Sequence, residues 1–363
     1  MKAHESARTT VLGRELHRTL RGLRPVTAGG ESCAVGAPAP SARLTSAGRG
    51  RDDRSMRDYA LLGPQYLSPN LRDGLVGLGI RGPLVAVTAG WQEREGEIDE
   101  LRAHVELPVR DLGLYARTEQ VYADDPPLAA AARERQERLQ ELQELYRLRL
   151  ASLMGALAEL GARSAASRAV RHARRAALGD VRRLDRQHLA ATASEHERFA
   201  RRWPAAERPS LAAHVAALSH AIEGADAILV AGGHVAVLLN RLRLFGMAEL
   251  IGAKPIVAWS AGAMALSERV VLFHDRPPQG AAHAEVLEAG LGLVRGIVAL
   301  PHAHARLTLD EPARVSEFAR RFAPAQCLAL EHGSLVRWRG GRLAEARDVE
   351  RLSRGGQPLE LPT

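Results

Sequence analysis

Lys254-Pro255-Ile256-Val257-Ala258-Trp259-Ser260-Ala261-Gly262-Ala263-Met264 decides the fold. Its first half is a short apolar, β-rich run after a proline, the pattern of a buried strand. Its second half is a serine followed by small residues leading into a helix. A nucleophile elbow needs this arrangement, because the turn is tight and its neighbours must be small. The Ser260 hydroxyl then stands at the carboxyl end of a strand, beside the start of the next helix. The Ala261 amide is placed to face a developing oxyanion. A serine N-cap on a small-residue turn is the plainer reading of the same residues.

The flanking sequence repeats the pattern. Ala227-Ile228-Leu229-Val230-Ala231 reads as a buried strand ended by Gly232-Gly233, and Val235 to Leu250 reads as a helix. Gly296 to Leu300 is a further strand, ended by Pro301-His302. Cys327 to Leu330 and Ser334 to Trp338 look like closing strands. Upstream, Leu84 to Thr88 is an apolar run followed by Ala89-Gly90-Trp91, then Gln92 to His104 at helical spacing and a second strand from Val109 to Tyr115. Alternating strands and helices predict an α/β fold with a mostly parallel sheet flanked by helices.

The chain has 363 residues, enough for one large domain or two ordinary ones. Apolar residues make up 46% and charged residues 25%, which excludes a collagen-like or membrane-embedded composition. Residues 1–55 are rich in Gly and Arg without a hydrophobic period and read as a disordered basic tail. Met56 is a candidate start of translation. Residues 56–126 form the first part of the α/β core and 222–345 the second, with 346–363 as a C-terminal tail. Between the two parts, 127–221 reads as a helical insertion, with Leu139, Leu142, Tyr146, Leu150, Leu153, Leu157 and Leu160 on one stripe.

The formal net charge is +8, and its excess lies in the tail and the insertion. The arginines of the insertion alternate with acids and have few aromatic neighbours, so nucleic acid is not the expected partner. A lid or an oligomer contact suits this segment better. Two distant cysteines, Cys33 and Cys327, define no disulfide framework, and a cytoplasmic location is expected. No stretch of about 18 apolar residues suggests a membrane span.

Three further groups carry chemistry. Gly232-Gly233-His234 lets backbone approach a substrate, and its amides can complete an oxyanion hole. His302, at another strand end, is placed to take a proton from Ser260, which is a weak nucleophile without a base. Asp275 is a candidate to orient that imidazole. A turn glycine pair, a capping histidine and a turn aspartate are the structural alternatives. His302-Ala303-His304 also raises a metal-hydrolase reading, but no further ligand motif follows, and no metal or cofactor is expected.

Together these motifs resemble the serine peptidase family that includes dipeptidase E and cyanophycinase, whose fold is class I glutamine amidotransferase-like. The resemblance rests on Ala231-Gly232-Gly233-His234 with Leu238-Leu239, on Trp259-Ser260-Ala261-Gly262-Ala263 and on Pro301-His302. It implies Ser260 as nucleophile, His302 as base and Asp275 as third member. Gly233 and Ala261 would supply the oxyanion hole, and Gly232, His234 and Arg314 would meet the substrate. The sequence departs from the family pattern at His234, Ala258, Ala231 and Leu300, and its insertion is far longer. Acidic Asp310-Glu311 before Arg314 argues against an aspartyl substrate. The expected function is a serine peptidase or dipeptidase acting on a peptide or small amide. A silent binding protein of the same fold and a non-peptide amide hydrolase are the rivals.

Overall fold

A computed structural model describes residues 57–66, 69–275 and 282–362. The tail expected over 1–55, and Met56, lie outside the described residues. In chain order the elements are β1 (Tyr59–Leu62), α1 (Leu71–Leu78), β2 (Leu84–Val87), a 3₁₀ turn (Ala89–Arg94), α2 (Asp99–Val105), β3 (Val109–Asp111), α3 (Leu114–Asp124), α4 (Pro126–Ala162) and α5 (Arg168–Arg202). After a second 3₁₀ turn come α6 (Pro209–Glu223), β4 (Ala227–Val230), α7 (Val235–Leu244), α8 (Met247–Leu250), β5 (Ile256–Trp259), α9 (Ala261–Leu266), β6 (Val270–Leu272) and β7 (Glu285–Glu288). The chain closes with β8 (Ile297–Pro301), α10 (Ala303–Arg306), α11 (Pro312–Phe322), β9 (Gln326–Arg339), β10 (Arg342–Leu352) and β11 (Pro358–Glu360).

The main sheet runs β11-β10-β9-β1-β5-β4-β2-β3, with β8 also on β9. From β1 to β3 all neighbours are parallel. Strand residues alternate between faces. Ala60, Leu62, Leu84, Ala86, Leu229 and Val257 pack under α1 and α2, while Leu61, Val85, Val87, Ile228, Val230 and Ile256 face the other, larger core. Burial on both faces explains why these strands read as continuous apolar runs. This is the α/β architecture expected from the sequence.

Local differences have physical causes. Val109 to Tyr115 is not one strand: Gly113 turns at φ 62°, and α3 starts at Leu114. The segment 92–104 is broken at Gln92, with φ 60°, so a 3₁₀ turn precedes α2. Gly246, at φ 61°, divides the helix expected over 235–250 into α7 and α8. The two closing strands are one strand, β9. The expected tail from 346 is not a tail: most of β10 and all of β11 lie in it, paired antiparallel along the sheet edge.

Over 127–221 the chain forms α4, α5 and most of α6, separated by 163–167 and by the second 3₁₀ turn. Asp125 caps α4 by accepting the Leu128 amide, with prolines at its first positions. Ser167 caps α5 through the Val170 amide. Both helices lie against the small β6–β7 sheet through a buried polar cluster. Arg321 of α11 forms two bonds to Asp185 of α5, at 2.8 and 2.7 Å. Tyr146 of α4 donates to Asp185 at 2.8 Å and accepts from the Val286 amide of β7 at 3.1 Å.

Candidate active site

Parallel strands end on one edge, and an open α/β sheet binds ligands outside those carboxyl ends. Leu62 pairs with Trp259, Val230 with Ala258 and Val87 with Val230, so the exits of β1, β5, β4 and β2 lie side by side. Three of those exits are packed too tightly for side chains. A Cβ on Gly262 would lie 2.2 Å from the Val230 carbonyl oxygen, and one on Gly90 2.4 Å from that of Gly232. Gly233, at φ 106°, crosses the Gly90 carbonyl in a conformation that suits glycine alone.

Ser260 takes φ 50° and ψ −120°, a region that non-glycine residues rarely occupy. Its amide donates to Leu62 O at 3.3 Å, which anchors the turn to β1. Its side chain makes no capping bond to α9, so the plain N-cap reading does not describe it. A Cβ on Gly232 would sit 2.9 Å from Ser260 Cβ and 3.5 Å from its Oγ. The hydroxyl therefore lies directly against the exit of β4. Ala261 is the first residue of α9, where an amide has no partner within the helix. Among the described residues, neither the Gly233 nor the Ala261 amide donates to a backbone carbonyl.

His302 reaches this edge by a different route. β9 runs antiparallel to β1 along one half and parallel to β8 along the other. Leu62 faces Leu335 and Pro301 faces Leu330, so β1 and β8 point their carboxyl ends at each other across Glu331 to Ser334. Gly63 donates to Ser334 O at 3.1 Å and His302 to Leu330 O at 3.2 Å. A Cβ on Gly63 would lie 1.7 Å from Glu331 O, so that junction is closely packed. His302 itself is left-handed, at φ 57° and ψ 39°. Burial, and then the charges of Arg306 and His332, push its pKa down to about 4. At neutral pH its imidazole is uncharged.

The remaining expected residues have other partners. Asp275 does not hold His302. Its carboxylate accepts from the Thr308 amide and hydroxyl, both at 2.9 Å, and from Arg314 at 2.5 Å. Burial works to raise its pKa, but these bonds outweigh burial and hold it below the usual range. Arg314 also binds Glu317 at 3.1 Å, so its charge is answered within the protein. His234 Nδ1 accepts the Val237 amide and caps α7. The His304 ring turns to Glu350, at 2.8 Å, rather than joining His302. Buried Cys327 has its thiol pKa pushed up to about 12 and offers no nucleophile.

Three residues at this junction carried no motif in the sequence. Glu331 accepts the His304 amide at 2.9 Å and so fixes the first turn after His302. The His332 ring packs edge-on to His302, with centroids 5.6 Å apart and planes at 76°. Arg306 extends past Phe273, its guanidinium 5.9 Å from the ring centre. The one available signal was the polar interruption Glu331-His332-Gly333 between two apolar strand runs.

Residues 209–346 match the model of Peptidase family S51. That segment includes Ser260, Asp275, His302 and the β8–β9 junction, and over it the chain is similar to a family of hydrolases. The match agrees with the resemblance carried by the motifs around Ser260 and His302. Among solved structures, a peptidase from an acI-B1 Actinobacterium is 12% identical, covers 84% of this chain and 97% of its own, and has a TM-score of 0.40. A protein assigned as peptidase E from Listeria monocytogenes EGD-e is 13% identical, with 82% and 100% covered and a TM-score of 0.37. No curated protein matches the chain.

Proposed function

We propose that the protein is a serine peptidase acting on dipeptides or short peptides. The backbone of Ser260 carries this reading: a serine held at φ 50° at a strand end, with no capping bond to its side chain. Such strain persists where a turn must present a side chain to a ligand. The Ser260 hydroxyl attacks a peptide carbonyl, and neutral His302 takes its proton. The oxygen of the tetrahedral intermediate faces the Gly233 and Ala261 amides, each such donor typically contributing about 3–4 kcal/mol. The C–N bond then breaks, and His302 returns the proton to the leaving amine. Water attacks the acyl-serine by the same route and releases the acid.

Asp275 has a structural role in this scheme, tying the β6 exit to Arg314 and Thr308. Glu331 is a positioning residue that fixes the turn beginning at His302. The test is hydrolysis of a dipeptide and short-peptide library, read by mass spectrometry, for wild type and Ser260→Ala side by side. Cleavage by wild type with a loss of at least a thousandfold in Ser260→Ala is expected. Equal cleavage by both proteins would sink the mechanism.

A further inference from the structure

Arg135 of α4 is a buried cation that no carboxylate answers. Only 4% of the residue is exposed. Its guanidinium lies over the Phe199 ring of α5, 4.1 Å from the centre, and its Nε is buried with no hydrogen-bond partner among the described residues. The acids around it are engaged elsewhere. Glu288 of β7 is hydrogen-bonded to His196 of α5 and to Arg243 of α7. Glu195 of α5 accepts from Arg138, at 2.6 Å, and from Arg198, both partly exposed. Tyr122 of α3 brings a hydroxyl to the same place, and the first charge that acts on it is that of Arg135. Burial raises the pKa of this phenol, so it stays neutral and supplies a donor, not a counter-charge.

A guanidinium does not shed its proton when buried, so Arg135 is charged in the folded protein. A buried charge without a partner is strongly unfavourable. The face of Phe199 offsets part of that cost, but it carries no net charge and leaves the N–H groups unbonded. In the interior, Arg135 and Arg243 stand against Glu288 alone. We propose that Arg135, with the Tyr122 hydroxyl, binds a small monovalent anion, a halide or a short carboxylate, where α3, α4, α5 and α7 meet. One negative charge closes the balance. The planar fork of N–H groups suits a carboxylate, and a halide accepts from the same donors. Glu288 and Glu195 close by disfavour a doubly charged anion. Because α4 and α5 belong to the helical segment and α7 to the core, the bound anion fastens one to the other. The proposal is independent of the peptidase reading.

The test uses the full chain as wild type, Arg135→Met and Tyr122→Phe, with chloride or acetate replacing bulky gluconate at constant ionic strength. Thermal midpoints and the ³⁵Cl NMR linewidth are the two readouts. The wild-type midpoint should rise by about 3–6 °C between none and about 200 mM of the anion, and then level off. Wild type should broaden the chloride signal saturably, and added acetate should narrow it again. Arg135→Met keeps the apolar stem and needs no counter-charge, so it should fold, with a midpoint that does not respond and no saturable broadening. Tyr122→Phe should need severalfold more anion for half the effect. A response to chloride alone supports a halide site, and a response to acetate alone a carboxylate site. An equal rise in wild type and Arg135→Met would overturn the proposal, as would a wild type that neither rises nor broadens the signal. Should Arg135→Met fail to fold, an unchanged half-effect concentration in Tyr122→Phe would overturn it in the same way.

Discussion

Ser260 holds a backbone conformation that costs on the order of 1–3 kcal/mol for a side chain with a Cβ. The strain serves presentation: it turns the hydroxyl from its own helix toward Gly232. His302 is tuned by its surroundings in the opposite sense to a carboxylate-backed histidine. Burial comes first, and Arg306 and His332 add to it, all disfavouring the charged ring. A lowered histidine pKa moves the acid limb of kcat/KM down, since that limb reports the base in the free enzyme. Activity is therefore expected to hold from pH 7 to about 5 and to fall with a midpoint near 4. Removing the neighbouring cation must raise that midpoint. Arg306→Gln is expected to move it up by roughly half a unit to one unit. A kcat/KM profile unchanged by Arg306→Gln would show that this charge does not reach the base. The strand-end placement of Ser260, Gly233 and His302 was legible in the sequence because each follows an apolar strand run at a turn. The partner of Asp275 was not, because Arg314 lies 39 residues further on and only folding brings it near.

At the scale of elements, the site depends on how closely the strand exits and α9 approach one another. Gly262 lies over β4, and its added Cβ would stand 2.2 Å and 2.9 Å from two backbone oxygens. Backbone cannot yield as a side chain end can, so Gly262→Ala is expected to destabilise the protein by about 3 kcal/mol. Gly155, in the exposed part of α4, has nothing within 4 Å of its Cβ position. There the same change is expected to stabilise by about 0.5–1 kcal/mol, through helix propensity and the unfolded chain. Denaturant midpoints of the two variants check both signs. The same contrast explains which elements the sequence revealed. β2, β4, β5 and β8 are buried on both faces and appear as apolar runs. β10 is an edge ribbon whose register shifts twice, between Leu343 and Glu345 and between Arg347 and Val349. Those irregularities break the two-residue alternation, and its charged residues then resemble a tail.

Across the whole molecule, the segment 127–221 is joined to the core by apolar packing and several ion pairs, of which Asp185–Arg321 is the most deeply buried. The Asp185 and Arg321 side chains are only 4% and 2% exposed, and they link α5 to α11. Arg321 also donates to Ala284 O at 2.7 Å, and Tyr146 extends the cluster to the Val286 amide. Swinging the insertion away as a rigid lid would separate these charges in a dry interior, which is strongly unfavourable. The lid reading of 127–221 therefore requires motion only in its distal part, beyond Met154 on α4, where the helix is largely exposed. Deleting one partner leaves the other charge buried and unpaired. Asp185→Ala is expected to cost about 3–5 kcal/mol, measured by denaturant unfolding. Asp185→Leu with Arg321→Met removes both charges and should recover more than half of that loss, because the penalty comes from the orphaned charge. Hydrogen exchange at Val286 gives the local counterpart. Its amide should lose protection in Asp185→Ala, since the Tyr146 hydroxyl that accepts it loses its own acceptor. Unchanged stability and protection in Asp185→Ala would mean that packing alone seats the insertion, and that a hinge at its base is energetically open.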